Sequence, residues 1–172
     1  YKSQSLSPLC SRDLQAAAEE FQHHLFYPYF KKRFAAIAEK RAPDIVGFSV
    51  NYLSQALCAA ALAATVRHLS PKTRIVFGGG LITSWMALPG FTNPLAGLVD
   101  AMVAGPGESP LLAMCGRPGS VVKNCGFDFS GFPLTDYLAP GFVLPYAASR
   151  GCYWRKCRFC PETFEKSGFS PT

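Results

Sequence analysis

The sequence predicts an α/β fold, a doubly wound parallel sheet, and three observations carry the prediction. Short apolar runs of buried-strand type stand at 44–50, 74–77 and 98–104. A segment of helical character follows each run, and each run ends in a polar or glycine-rich loop. Strand and helix alternating three times, joined by right-handed crossovers, build a parallel sheet with helices packed on it.

The elements follow in order. Ser11-Arg12-Asp13 offers a cap for a short helix through Glu20. A second helix is expected from about Pro28 to Lys40, with Phe30, Phe34, Ile37 and Ala38 at helical spacing. His23 and His24 lie between the two beside Phe26, Tyr27 and Tyr29; a ligand role is one reading, and a satisfied structural pair is the plainer one. The first strand is Asp44 to Val50. Asn51 to Ser54 then offers polar capping groups for a helix over Gln55 to Leu69, whose packed face is expected to carry Cys58, Leu62, Val66 and Leu69. Ser70-Pro71-Lys72 ends it, and Arg74 to Phe77 is the second strand, running into Gly78-Gly79-Gly80. After a segment around Ile82 to Leu88, Leu98 to Ala104 reads as the third strand, followed by Gly105-Pro106-Gly107-Glu108 and a helix over about Ser109 to Met114. A further short strand is expected at Ser120 to Lys123, and another at Phe142 to Ala148, made irregular by Pro145. Residues 126 to 141 are turn-rich with interspersed aromatics, as suits a linker.

In sheets of this kind ligands bind beyond the carboxyl ends of the strands. Three loops end strands here: Ser49 to Leu53, Gly78 to Gly80, and Gly105 to Glu108. Glycines let a ligand approach the backbone with no β-carbon in the way, although tight turns need them too. Neither G-x-G-x-x-G after the first strand nor G-x-x-x-x-G-K-[ST] occurs, so the usual dinucleotide and P-loop readings lack their motifs.

Charged residues make up 16% of the 172-residue chain and hydrophobic ones 49%, a globular composition that excludes disorder. No apolar run reaches the length of a membrane span and no secretory leader pattern opens the sequence, so a cytoplasmic, reducing location is the expectation. Seventeen basic against eleven acidic residues give a net charge of +6, which suits nucleic acid or an anionic cofactor. No repeat or low-complexity tract is present.

The stretch Ser149-Arg150-Gly151-Cys152-Tyr153-Trp154-Arg155-Lys156-Cys157-Arg158-Phe159-Cys160 is the densest chemical signal. Three thiols within nine residues can converge as soft ligands on an iron–sulfur cluster or a zinc ion. Three thiolates on a cuboidal cluster leave one iron open to a substrate or cofactor. A structural zinc ion wants a fourth ligand, which would come from Cys125 or a histidine. A disulfide framework sits poorly with seven cysteines, an odd count. Arg150, Arg155, Lys156 and Arg158 surround the thiols, either to neutralise an anionic cluster or substrate carboxylate or as a solvated basic loop.

This stretch resembles the signature of the radical S-adenosylmethionine (SAM) superfamily, C-x3-C-x2-C with an aromatic before the last cysteine. Cys157-Arg158-Phe159-Cys160 fits the second half; the first gap departs from it, since Tyr153 to Lys156 puts four residues where the family has three. One extra residue in a flexible loop changes closure entropy little. The Ser-Arg-Gly before the loop and its Cys-Tyr-Trp opening are similar to members that carry a cobalamin-binding domain. Pro43 to Ser49, Val76 to Gly80 and Val103 to Glu108 also look like that domain, whose third loop often reads Gly-Glu-Gly-Glu where this chain has Gly-Pro-Gly-Glu. The Asp-x-His-x-x-Gly run by which many cobalamin domains supply a histidine to cobalt is absent, as it commonly is in members fused to radical SAM domains. The similarity covers about residues 40 to 160.

The resemblance implies a flavodoxin-like (Rossmann-like) cobalamin-binding domain over 1–125, a linker over 126–141, and the first strand and cluster loop of a radical SAM barrel over 142–172. No first strand is visible before residue 40, so the chain is expected to start inside the domain or to replace that strand with its N-terminal segment. The twelve residues after Cys160 are too few for a barrel; the expectation is a truncated domain, inactive by itself. By resemblance Cys152, Cys157 and Cys160 hold a [4Fe-4S] cluster whose fourth iron takes the amino and carboxylate groups of SAM. Reductive cleavage of SAM then gives a 5′-deoxyadenosyl radical, and cobalamin relays a methyl group or tunes the radical chemistry. Ser49, Asn51, Tyr52, Gly78, Gly79, Gly80, Gly105, Gly107 and Glu108 are the implied cobalamin contacts, and Phe159 lines the SAM adenine. The substrate, a small molecule or peptide, stays open. So do two other readings: an α/β binding module with a zinc-stabilised cysteine loop, and an RNA-modifying enzyme whose Tyr153-Trp154 and cations meet single-stranded RNA.

Overall fold

In the computed structural model, which describes residues 3, 5–119, 129–133, 136, 138, 141, 143, 149–158, 160, 170 and 171, three strands pair in parallel. They are β1 (Ile45–Ser49), β2 (Arg74–Gly78) and β3 (Ala101–Met102), in the order β1-β2-β3. Gly47 lies opposite Val76, Phe48 opposite Phe77, and Val76 opposite Ala101. Side chains alternate along a strand, so the pleat sorts Val46, Phe48, Ile75, Phe77 and Met102 to one face and Gly47, Ser49, Val76 and Gly78 to the other.

The first face carries the core. Leu14 and Ala17 of α1 (Ser11–Glu19), Phe34 of α2 (Tyr27–Lys40), Leu57, Ala60, Ala63 and Val66 of α3 (Leu53–Leu69), and Leu81 and Ile82 of α4 (Gly80–Met86) join one apolar cluster with Ile75, Phe77, Val46, Phe48 and Met102. Four helices therefore share one side of the sheet. The central helix α3 buries a broad alanine surface, with Ala60, Ala61 and Ala63 fully enclosed. Side chains this short let a helix lie close to its neighbours. A short helix, α5 (Glu108–Met114), follows β3.

Several expectations need correcting. The α/β class holds, but among the described residues the strand order runs with the chain and does not reverse. Among the described residues β1 is an edge strand, and its Gly47 and Ser49 are exposed, so it is not a strand buried on both sides. β3 is shorter than 98–104, because Leu98 and Val99 belong to a turn in which both amides donate to the Leu95 carbonyl, at 3.1 and 2.9 Å. The ladder still extends past the strand ends through Asp100 N–H to Ile75 O and Val103 N–H to Phe77 O. In α1 the cap position is Cys10, with Ser11 already helical. In α2 Ile37 points outward, 52% exposed, and the packed stripe is Phe30, Phe34 and Ala38. In α3 Cys58 and Leu62 are half-buried and Leu69 is exposed; of the expected stripe only Val66 is fully inside. The strand expected at 120–123 lies outside the described residues, and so, Val143 apart, does the one at 142–148. At the start of the cysteine loop β4 (Ser149–Arg150) pairs antiparallel with β5 (Ser170–Pro171).

The amino-terminal ends of β2 and β3 are pinned by one side chain. The Arg67 guanidinium donates to the carbonyls of Pro71, Thr73 and Leu98, at 2.7, 2.9 and 3.1 Å, and to Asp100 Oδ2 at 2.6 Å. The same carboxylate oxygen accepts the Ile75 amide at 2.7 Å. That amide, with the Arg67 guanidinium, holds the Asp100 carboxyl below the usual aspartate range. No helix among the described residues is long and apolar enough to cross a membrane.

Candidate cofactor site

At the carboxyl end of the sheet the three strand-end loops are chained together by two polar side chains. Asn51, just after β1, accepts the Gly80 amide at its Oδ1, 2.9 Å away, and donates from Nδ2 to Ser49 Oγ at 3.2 Å. Gln55 Oε1 in turn accepts the Asn51 and Tyr52 amides, at 2.8 and 3.1 Å, which secures the start of α3. Thr83, buried in α4, donates its hydroxyl to Gly79 O at 3.0 Å and accepts the Gly105 amide at 2.9 Å. Asn51 thus joins the first loop to the second, and Thr83 joins the second to the third.

Gly79 is required by this packing rather than by a ligand. Its φ is +98°, and a β-carbon there would stand 2.7 Å from Val50 O and 2.8 Å from Asn51 Oδ1. Gly47, Gly105 and Gly107 differ: a β-carbon on any of them would have nothing within 4 Å. These glycines border an open cavity of about 480 Å³ that spreads from the strand ends over the face of the sheet opposite the four packed helices. Ser49, Gly78, Gly79, Gly105, Gly107 and Glu108, all expected at the site, line it together. Asn51 and Gly80 lie behind as support, Tyr52 is exposed and does not line the cavity, and Phe159 falls outside the described residues. Sequence reasoning missed Gly47, Val76 and Val103, which complete the floor, and Leu111 and Met114 of α5, which wall it. A signal was present: a glycine inside a strand marks a place where something approaches the backbone closely.

A second cavity of about 310 Å³ opens at the side of β1, between α2 and α3, and is lined by Phe26, Phe30, Phe48, Cys58 and Leu62 among others. Burial pushes the Cys58 thiol up, which makes it a weak nucleophile. The His24 ring stacks on Phe30 at 5.7 Å and its Nδ1 accepts the Phe26 amide at 3.2 Å, while burial lowers its pKa. Its role here is that of a packed aromatic.

The cysteine loop brings half-buried, reduced Cys152, Cys157 and Cys160 into one irregular stretch, with the Cys160 amide donating to Cys157 O at 3.3 Å. Arg155 turns the chain in the left-handed region, at φ 49°. Three thiols suit a soft metal or an iron–sulfur cluster in donor chemistry. Among the described residues no three His, Cys, Asp or Glu side chains are gathered closely enough to hold a metal ion. The cavity suits a broad ring better than a compact phosphate, because its floor is bare glycine backbone and apolar side chains with one carboxylate, Glu108, at the rim. Compared with family models, curated proteins and solved structures, the chain matches none.

Proposed function

We propose that this chain carries the cofactor-binding part of a cobalamin-dependent radical SAM enzyme: a flavodoxin-like α/β domain followed by the loop that holds a [4Fe-4S] cluster. The observation that carries the reading is the convergence of all three strand-end loops on one open, glycine-floored cavity, within the same chain as a three-cysteine loop. Cobalamin would lie over Gly47, Gly78, Gly105 and Gly107, with Glu108 at the rim. Cys152, Cys157 and Cys160 would hold the cluster, which requires the loop to draw its thiols together on loading. Bound, the cluster would pass on to SAM an electron taken from an external reductant, and cobalamin would serve as carrier for the methyl group. The protein's part is to hold them, to keep water off the apolar floor and to offset the cluster's charge with Arg150 and Arg158.

Metal analysis and cobalamin binding test the two halves separately. After anaerobic reconstitution the account expects about four iron and four sulfide per chain, the content of one [4Fe-4S] cluster. They should be lost from a Cys152→Ala, Cys157→Ala, Cys160→Ala triple variant. Equilibrium dialysis should show hydroxocobalamin bound by both forms. Stoichiometric zinc with little sulfide would overturn the cluster and leave a metal-stabilised binding module.

A further inference from the structure

The four-residue gap between Cys152 and Cys157 carries two exposed aromatic residues. Tyr153 is 79% and Trp154 55% exposed, although rings of this size bury well wherever a core can take them. Arg155 follows at φ 49°, in the left-handed region. The Lys156 ammonium lies over the Trp154 ring, 5.2 Å from its centre. From Ser149 to Cys160 the sequence holds four cations and no acid. Two exposed rings and a cation over one of them, within a stretch whose sequence is wholly basic in its charges, make a stacking platform in a positive field.

We propose that this Tyr153–Lys156 bulge is a contact surface for single-stranded RNA. Flat rings bind unpaired bases by stacking, and adjacent cations take the phosphates. A duplex hides its base faces, whereas RNA presents them in loops, bulges and ends. An acidic peptide has the charge but lacks the planar groups. The proposal concerns the residues between the cysteines in the loop as the structure shows it, with no cluster loaded.

The test is fluorescence anisotropy of a labelled 12-nucleotide oligouridine titrated with the full chain, with blunt duplex RNA and phosphatidylcholine–phosphatidylserine vesicles as competitors. The expected result is binding that Trp154→Ala weakens roughly tenfold or more and Trp154→Phe largely restores, because one stacked base is lost and regained. Lys156→Ala should reduce the slope of log K against log salt by about 0.7, the contribution of one phosphate on a single strand. Restoration by Trp154→Phe separates loss of stacking from loss of fold. Absence of binding, indifference to Trp154→Ala, or equally effective competition by duplex or vesicles would overturn the proposal.

Discussion

On one face of the sheet Phe48 and Phe77 lie ring against ring, their centres 5.0 Å apart, beneath four helices; on the other, Gly47 and Val76 border a cavity. The strands and registers are the same, and only the parity of the residue differs. The packed face supplies stability through close contact. The open face gives that contact up, which leaves room for a ligand. Substitutions that merely fill space should therefore act oppositely on the two sides.

The largest effect is expected from Phe77→Ala, which empties a ring 2% exposed at the centre of the packed face. A loss of about 3–5 kcal/mol is the usual cost of such a cavity. Urea denaturation followed by circular dichroism measures it. A loss below about 1 kcal/mol, the scale of an ordinary surface change, would mean that the face is not the core. Gly79→Ala comes next, since its β-carbon would collide with Val50 O in a conformation that already disfavours side chains. A cost of about 1–3 kcal/mol is expected for the strain alone, with the first two strand-end loops pushed apart. Unchanged stability would show that these loops do not pack as described.

The smallest effect concerns the far end of the strands. Asp100 has a folded pKa below its unfolded value, so its contribution is fully present above about pH 4, the unfolded range for aspartate. The contribution is lost as pH falls through the depressed folded value. Asp100→Asn should therefore flatten the acid limb of a stability–pH curve. An unchanged acid limb would assign the acid sensitivity to other carboxylates.

Much of this arrangement was legible in the sequence because apolar runs of strand length and long helical segments are local signals. β1, β2, α2 and α3 begin and end within a few residues of where those signals place them. The third strand was overextended because Leu98 and Val99 are apolar for another reason: Val99 is buried in a turn, and burial without periodicity does not separate strand from turn. The α3 face was misjudged because larger side chains drew the reading, whereas the helix packs chiefly through alanines. The glycine loops announced the site, yet the contacts that assemble it did not. Asn51 to Gly80 and Thr83 to Gly105 span 29 and 22 positions, and single polar contacts at that range leave no periodic trace. Gly47 was passed over as one more residue of a buried strand, and its openness emerges only once β1 proves to be an edge.

The most direct test of the central claim, that the glycine-floored face is kept open for a cofactor, is hydroxocobalamin binding by Gly47→Ile beside the unaltered chain. The substitution has free space to enter and a backbone that tolerates it. Stability should hold or rise by about 0.5–1 kcal/mol, since glycine weakens a strand interior by that much. Cobalamin affinity should fall at least tenfold. An equally tight complex with Gly47→Ile, or no cobalamin bound by the unaltered chain, would contradict the account.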